Sequence, residues 1–317
     1  MIKKLTAILA AVFLTGGAAM AQKIVFMPHW LPQAQFAGYY VALENGFYAD
    51  EGLDVEIRHL NANTRKKPAA YLKSGEIDIT SMMLINAMEL EDSGMDIVNI
   101  LQVSQSTGLC CVSKEPVSGY EDMDGKKVGK WTTGYSEYAM MAADEKGLSL
   151  EWVSLLNNIN ALIAGAVDAT LCYTFNEYIQ LYLATGKDWS ANTIRLADIG
   201  YDFPDDGLYV TSEFYDRNKE TAEKFARASR RGWEWAAEHP DETVTICMDY
   251  IKRENITSNR IHQRMMLDEM LRLQKEKESG KATFAKVRRE VFEDLAEKAL
   301  NAGILINKPE YAKMIRP

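Results

Sequence analysis

The chain has 317 residues, with 36 Lys and Arg against 45 Asp and Glu, for a net charge of −9. That acidity repels polyanions and sets nucleic acid aside as a partner, while leaving open the sign of any small site. The length sits at the upper limit of one hydrophobic core, roughly 250–300 residues, so two lobes are expected.

An export signal comes first. Lys3 and Lys4 precede an apolar run, Leu5 to Leu14, that is too short to span a bilayer. Ala19-Met20-Ala21 has the small-x-small spacing of a cleavage site, so the mature chain is expected to begin at Gln22. No cysteine lies beside it, which argues against a lipid anchor.

The front half then alternates strand and helix. Strands are expected at Ile24–Met27, Leu53–Arg58, Ile77–Thr80, Ile97–Gln102, Leu109–Val112, Lys127–Gly129, Ala169–Tyr173 and Thr193–Leu196. Helices are expected at Gln35–Asn45, Lys67–Ser74, Met82–Asp92, Ser136–Lys146 and Asn176–Ala184. Asn45-Gly46 closes the first helix and Asp124-Gly125 turns into the strand at Lys127. Such alternation predicts an α/β fold with mainly parallel sheets flanked by helices. The back third reads as four amphipathic helices, Glu220–Ala237, Asp241–Ile251, Arg260–Leu273 and Ala282–Ala302. In the first of them Phe225, Ala228, Gly232, Trp235 and Ala236 recur at three- and four-residue steps.

Leu109 to Pro116 reads as a strand leaving the first lobe, and Asp206 to Thr211 as one returning to it. The expected division is therefore 22–111 for lobe 1, 112–204 for lobe 2, and 205–317 for the return to lobe 1 with its C-terminal helices. Cys110, Cys111, Cys172 and Cys247 show no zinc spacing and are expected to be buried thiols, though export leaves a disulfide open. The four histidines form no metal or nucleophile–base pattern, so no cofactor, metal or catalytic group is expected.

Open α/β sheets bind ligands at the carboxyl ends of their strands. Trp30, Gln33 and Tyr39 lie there, just after the first strand. From Trp30 to Val55 the sequence resembles periplasmic binding proteins related to the thiamine-pyrimidine-precursor synthase of yeast. Further blocks match in order: Ser74-Gly75-Glu76-Ile77-Asp78, Asp124 to Gly129, Asn176-Glu177-Tyr178, Phe203 to Tyr209, and Arg231-Gly232-Trp233 with Pro240. The resemblance implies a two-lobed, type II periplasmic binding protein. Such a protein works as a monomer, closes over a small solute and delivers it to an ABC permease. Relatives carry pyrimidines, flavins or sulfonates.

On that reading Trp30 offers one flat face to a ring and Tyr39 the other. An aromatic stack is worth about 0.5–1.5 kcal/mol beyond its buried area. Glu177 would accept hydrogen bonds from an aminopyrimidine edge, with Asn176 as helix cap or second contact and Tyr173 closing the site. The loop Trp131, Thr132, Thr133, Gly134 and Tyr135 precedes a helix and would hold an anionic group, or serve as an ordinary cap with Ser136. Ser81 and Asn86 follow the third strand, and Asp206 is a cleft or hinge residue. The synthases need a lysine and a histidine where this chain, aligned without gaps from Asp78, has Met82 and Asn86. Neither can form a Schiff base or donate an imidazole, so the expected role is binding, not catalysis.

Overall fold

The computed structural model describes residues 22–60, 66–132, 134–156, 158–277, 279–284 and 286–316. The expected export signal, the expected cleavage site and Thr133 lie outside the described residues.

Among the described residues, ten strands form two sheets. β1 (Gln22–Met27), β2 (Leu53–Ile57), β3 (Ile79–Met83), β4 (Ile97–Gln102) and β10 (Asp206–Thr211) make the first, in the order β2-β1-β3-β10-β4. β5 (Leu109–Ser113), β6 (Lys127–Trp131), β7 (Glu151–Leu155), β8 (Ala169–Tyr173) and β9 (Thr193–Arg195) make the second, in the order β7-β6-β8-β5-β9. β10 runs antiparallel to β3 and β4, and β5 antiparallel to β8 and β9, while the remaining pairs are parallel. Each sheet therefore has one reversed strand, the one at which the chain crosses between the sheets. Gly207 makes the return possible: a Cβ there would stand 2.6 Å from Asn99 Nδ2 and 2.8 Å from Gln102 Oε1, both on β4.

The helices between the strands are α1 (Ala37–Glu44), α2 (Phe47–Asp50), α3 (Pro68–Ser74), α4 (Leu84–Asp92), α5 (Glu137–Glu145), α6 (Asn158–Ile163) and α7 (Glu177–Thr185). The C-terminal set is α8 (Ser212–Glu238), α9 (Pro240–Arg253), α10 (Arg260–Leu273), α11 (Arg289–Asn301) and α12 (Tyr311–Met314). α8 starts eight residues before the expected Glu220: Thr211 caps an additional first stretch, its Oγ1 accepting from Phe214 N–H at 3.1 Å, and a kink at Asn218 separates that stretch from the expected helix. The helix expected from Ala282 begins only at Arg289, because Ala282 instead pairs with Lys275 in a short bridge. α8 and α9 pack on α1, but α10 also touches α7 and α11 touches α5. The C-terminal helices thus rest on both halves, not on the first alone as the sequence suggested.

β7 and α6 are absent from the sequence reading. β7 is an edge strand with no fully buried residue, so it carries no apolar run to detect. The four cysteines are buried and unbridged. Among the described residues no helix is long and apolar enough to cross a membrane.

Candidate functional site

The strands of both sheets end at one cleft. From the first sheet come His29, Trp30, Gln33 and Gln35, which follow β1, and Met83, which ends β3. From the second come Trp131 at the end of β6, Tyr135 in the loop after it, Tyr173 at the end of β8, and Phe175, Asn176 and Glu177 leading into α7. The cleft is narrow, with a cavity of about 30 Å³ between its rings. A second chamber of about 310 Å³ adjoins it, sharing His29, Met83 and Tyr135 and adding Lys67, Asn86 and Glu89 among others.

Neighbouring elements hold the loop after β1 in place. His29 N–H donates to Ser81 Oγ at 3.0 Å, and its Nδ1 lies 2.8 Å from the same oxygen. Ala34 N–H donates to Gln263 Oε1 of α10 at 2.7 Å. Below the cleft runs a buried polar chain. Gln33 Nε2 donates to Gln35 Oε1 at 2.6 Å, and Gln35 Nε2 donates to Asp206 Oδ2 at 2.9 Å. Burial pushes the His29 imidazole down to about 3, so it is neutral here. Burial pushes Asp206 up to about 7, opposed by the Gln35 hydrogen bond.

The second half supplies most of the rings. Trp131 and Tyr173 stack with centroids 5.5 Å apart, and Tyr173 lies 4.9 Å from Phe175. Trp30 meets Tyr135 edge-on at 6.0 Å across the cleft. Tyr135 has φ of +68°, a conformation that costs a bulky residue about 1–3 kcal/mol and that clusters at ligand clamps. Glu177 is half-buried; its Oε2 accepts from Tyr173 N–H at 3.0 Å and its Oε1 from Asn176 Nδ2 at 3.0 Å. Burial raises its pKa above the usual carboxylate value, and these bonds oppose the rise.

Six residues named from the sequence meet here: Trp30, Gln33, Tyr135, Tyr173, Asn176 and Glu177. Asn86 lines the adjoining chamber. Ser81 and Asp206 are buried beneath the cleft as supports, not on its wall. Thr132 is exposed, and neither it nor Gly134 is among the residues lining the two chambers. Tyr39 requires a correction. It is 1% exposed, its ring packs edge-on against Phe26 at 4.8 Å and Trp233 at 6.0 Å, and it belongs to the core. A helix turns each residue by about 100°, and α1 directs Tyr39 inward. The facing rings are instead Trp131 and Tyr173. His29, Gln35, Met83 and Phe175 were not anticipated, and Trp131 was read only as the start of an anion loop, although Trp131 and Met83 end strands and obey the same carboxyl-end rule that singled out Trp30.

Residues 33–243 match the NMT1/THI5 like family. The riboflavin-binding protein RibY of Chloroflexus aurantiacus is 24% identical over 79% of this chain and 72% of its own length. A formylaminopyrimidine-binding protein of Halalkalibacterium halodurans is 25% identical over 72% of this chain and 70% of its own. A 4-amino-5-hydroxymethyl-2-methylpyrimidine phosphate synthase of Candida albicans is 23% identical over 69% of each chain. The aliphatic sulphonate binding protein SsuA of Escherichia coli shares the fold, with a TM-score of 0.68 at 14% identity over 93% of this chain and 92% of that one. The chain has a periplasmic-binding-protein fold and belongs to the NMT1/THI5 like family.

Proposed function

We propose that this chain is the periplasmic solute-binding component of an ABC importer and captures a thiamine pyrimidine precursor, a hydroxymethyl- or formylamino-pyrimidine, between two lobes. The lobes are 22–111 with 205–317, and 112–204. The observation that carries the reading is the cleft itself: Trp30 from one half and Trp131 and Tyr173 from the other, with the Glu177 carboxylate at its wall. A ring enters between the aromatic faces and its amino edge meets Glu177. Asn176 keeps that carboxylate oriented through its own bond to Gln180, 2.7 Å long.

Riboflavin is the second reading, favoured by the adjoining chamber of about 310 Å³, which would take a chain attached to the ring. A sulfonate fits less well, because among the described residues no Lys or Arg lines the aromatic cleft. The synthase reading lacks its lysine and histidine at Met82 and Asn86.

The test is a thermal-shift and tryptophan-fluorescence panel of aminopyrimidines, thiamine, riboflavin, taurine and longer sulfonates. A ligand that binds only the folded protein must raise its melting temperature. A shift with quenching by aminopyrimidines alone supports the reading; a shift by riboflavin or a sulfonate alone replaces the ligand.

A further inference from the structure

We propose that the aromatic cleft selects a positively charged ligand, a flat heteroaromatic ring carrying a cationic nitrogen. The inference rests on the stacked-ring reading above and concerns the charge of that ring. Four Trp and Tyr rings, Trp30, Trp131, Tyr135 and Tyr173, line the cleft, whose cavity of about 30 Å³ must widen to admit a ring. The face of each ring is the negative end of its quadrupole and attracts a cation within about 6 Å of its centroid.

The charges around the cleft point the same way. Glu177 is the one carboxylate on its wall, and among the described residues no Lys or Arg lines it. His29, the remaining titratable group of basic type there, is buried, packs edge-on against Phe36 at 5.2 Å, and has its Nδ1 3.6 Å from Asp206 Oδ1, so a proton taken up there is matched by that carboxylate and adds no net positive charge to the wall. Lys67 lies in the adjoining chamber, where Glu89 accompanies it. The start of α7 brings a partial positive charge, about half a unit, to the wall where the Glu177 carboxyl sits. Closure over a neutral ring offers that carboxyl only the hydrogen bonds from Tyr173 N–H and Asn176 Nδ2 and no counter-charge. A cationic ring supplies one and gains the aromatic faces as well.

The experiment measures Kd by calorimetry at pH 8 for three rings: 4-amino-2,5-dimethylpyrimidine, its N1-methyl cation, and its C6-methyl analogue, which has the bulk without the charge. Tetramethylammonium and methanesulfonate complete the set as charges without a ring. We expect the N1-methyl cation to bind at least tenfold tighter than the C6-methyl ring. Glu177→Gln should bring the two within about twofold, a change that mere loss of packing would not produce. Equal affinity of the two methylated rings, or preference for the neutral one, overturns the charge selectivity and leaves the stacked-ring reading standing. Binding of tetramethylammonium with no ring bound overturns the ring and keeps the charge. Binding of methanesulfonate over tetramethylammonium, or of nothing in the set, overturns the charge inference outright.

Discussion

At the scale of single residues, Trp30 and Tyr39 separate cleft from core. Trp30 is half-buried and reaches the cleft, so Trp30→Ala removes a stacking face with little loss of packing. The expected cost is a tenfold or greater rise in Kd for an aminopyrimidine, about 1.4 kcal/mol, with a nearly unchanged melting temperature. Tyr39 lies nine residues on and behaves oppositely. Its ring is enclosed by Phe26 and Trp233, so Tyr39→Leu leaves a cavity and should destabilise the fold by about 2–4 kcal/mol while Kd stays within threefold. Calorimetric titration beside a urea melt reads both quantities. Were Tyr39→Leu to weaken ligand tenfold at constant stability, the tyrosine would belong in the cleft after all.

At the scale of elements, the site loop is held by a helix pair that tolerates no extra atom. α8 crosses α1 at two glycines: a Cβ on Gly232 would stand 1.9 Å from Gly38 O, and a Cβ on Gly38 would stand 2.3 Å from Trp233 Cγ. The backbones touch, so Gly232→Ala must push the helices apart. Overpacking of this kind costs about 1–3 kcal/mol. The urea midpoint should fall with an unchanged slope, since the surface exposed on unfolding stays the same. An unaltered midpoint would mean the pair slides freely. The same helix shows how far the sequence could be read. Its apolar repeat placed Phe225, Ala228, Gly232 and Ala236 on the buried face correctly, and these residues are indeed buried. It chose Trp235 over Trp233, however. Trp233 is the buried one, and Trp235 stacks on His239 at 4.2 Å instead. Periodicity fixes a face to within a residue or two, and two bulky tryptophans on either side of it look alike. The site was legible to the same degree. The carboxyl-end rule located Trp30, Tyr173 and Glu177, because it needs only strand ends. It overlooked Trp131 because the strand at Lys127 was ended at Gly129, two residues early. It misplaced Tyr39 because the angular position of a helical residue depends on where the helix begins, and here a tight turn at Ala34–Phe36 precedes α1.

At the scale of the whole molecule, the two sheets are joined by crossing segments around residues 103–108 and 196–205, where Asp205 is buried and Asp202 partly so. Gly108 N–H donates to Asp205 Oδ2 at 2.8 Å, Thr107 N–H to Asp202 Oδ1 at 3.2 Å, and Gln102 Nε2 to the carbonyl of Asp206 at 2.8 Å. These bonds tie one crossing to the other, in the place where a hinge for closure would lie. Asp206 adds a pH dependence whose sign can be worked out. Its pKa rises from an unfolded value near 3.8 to about 7 in the fold, through burial. Between those values the folded protein keeps a proton that the unfolded chain has lost, so this group's contribution to stability falls as pH rises and levels off above about 7. His29, pushed down to about 3, pulls the other way as pH falls below its unfolded value, so the wild-type profile mixes both. Asp206→Asn separates them. An amide mimics the protonated acid and still accepts from Gln35 Nε2; because His29 Nδ1 lies 3.6 Å from Asp206 Oδ1, the comparison is made in a His29→Gln background, where no imidazole titrates beside it. The variant should therefore gain on its Asp206 parent by up to about 3 kcal/mol between pH 5 and pH 8, measured by urea unfolding at each pH. A difference that stays flat across that range would mean that Asp206 is already ionised in the folded protein at pH 5, and that the polar chain from Gln33 to Asp206 carries a full negative charge under the cleft.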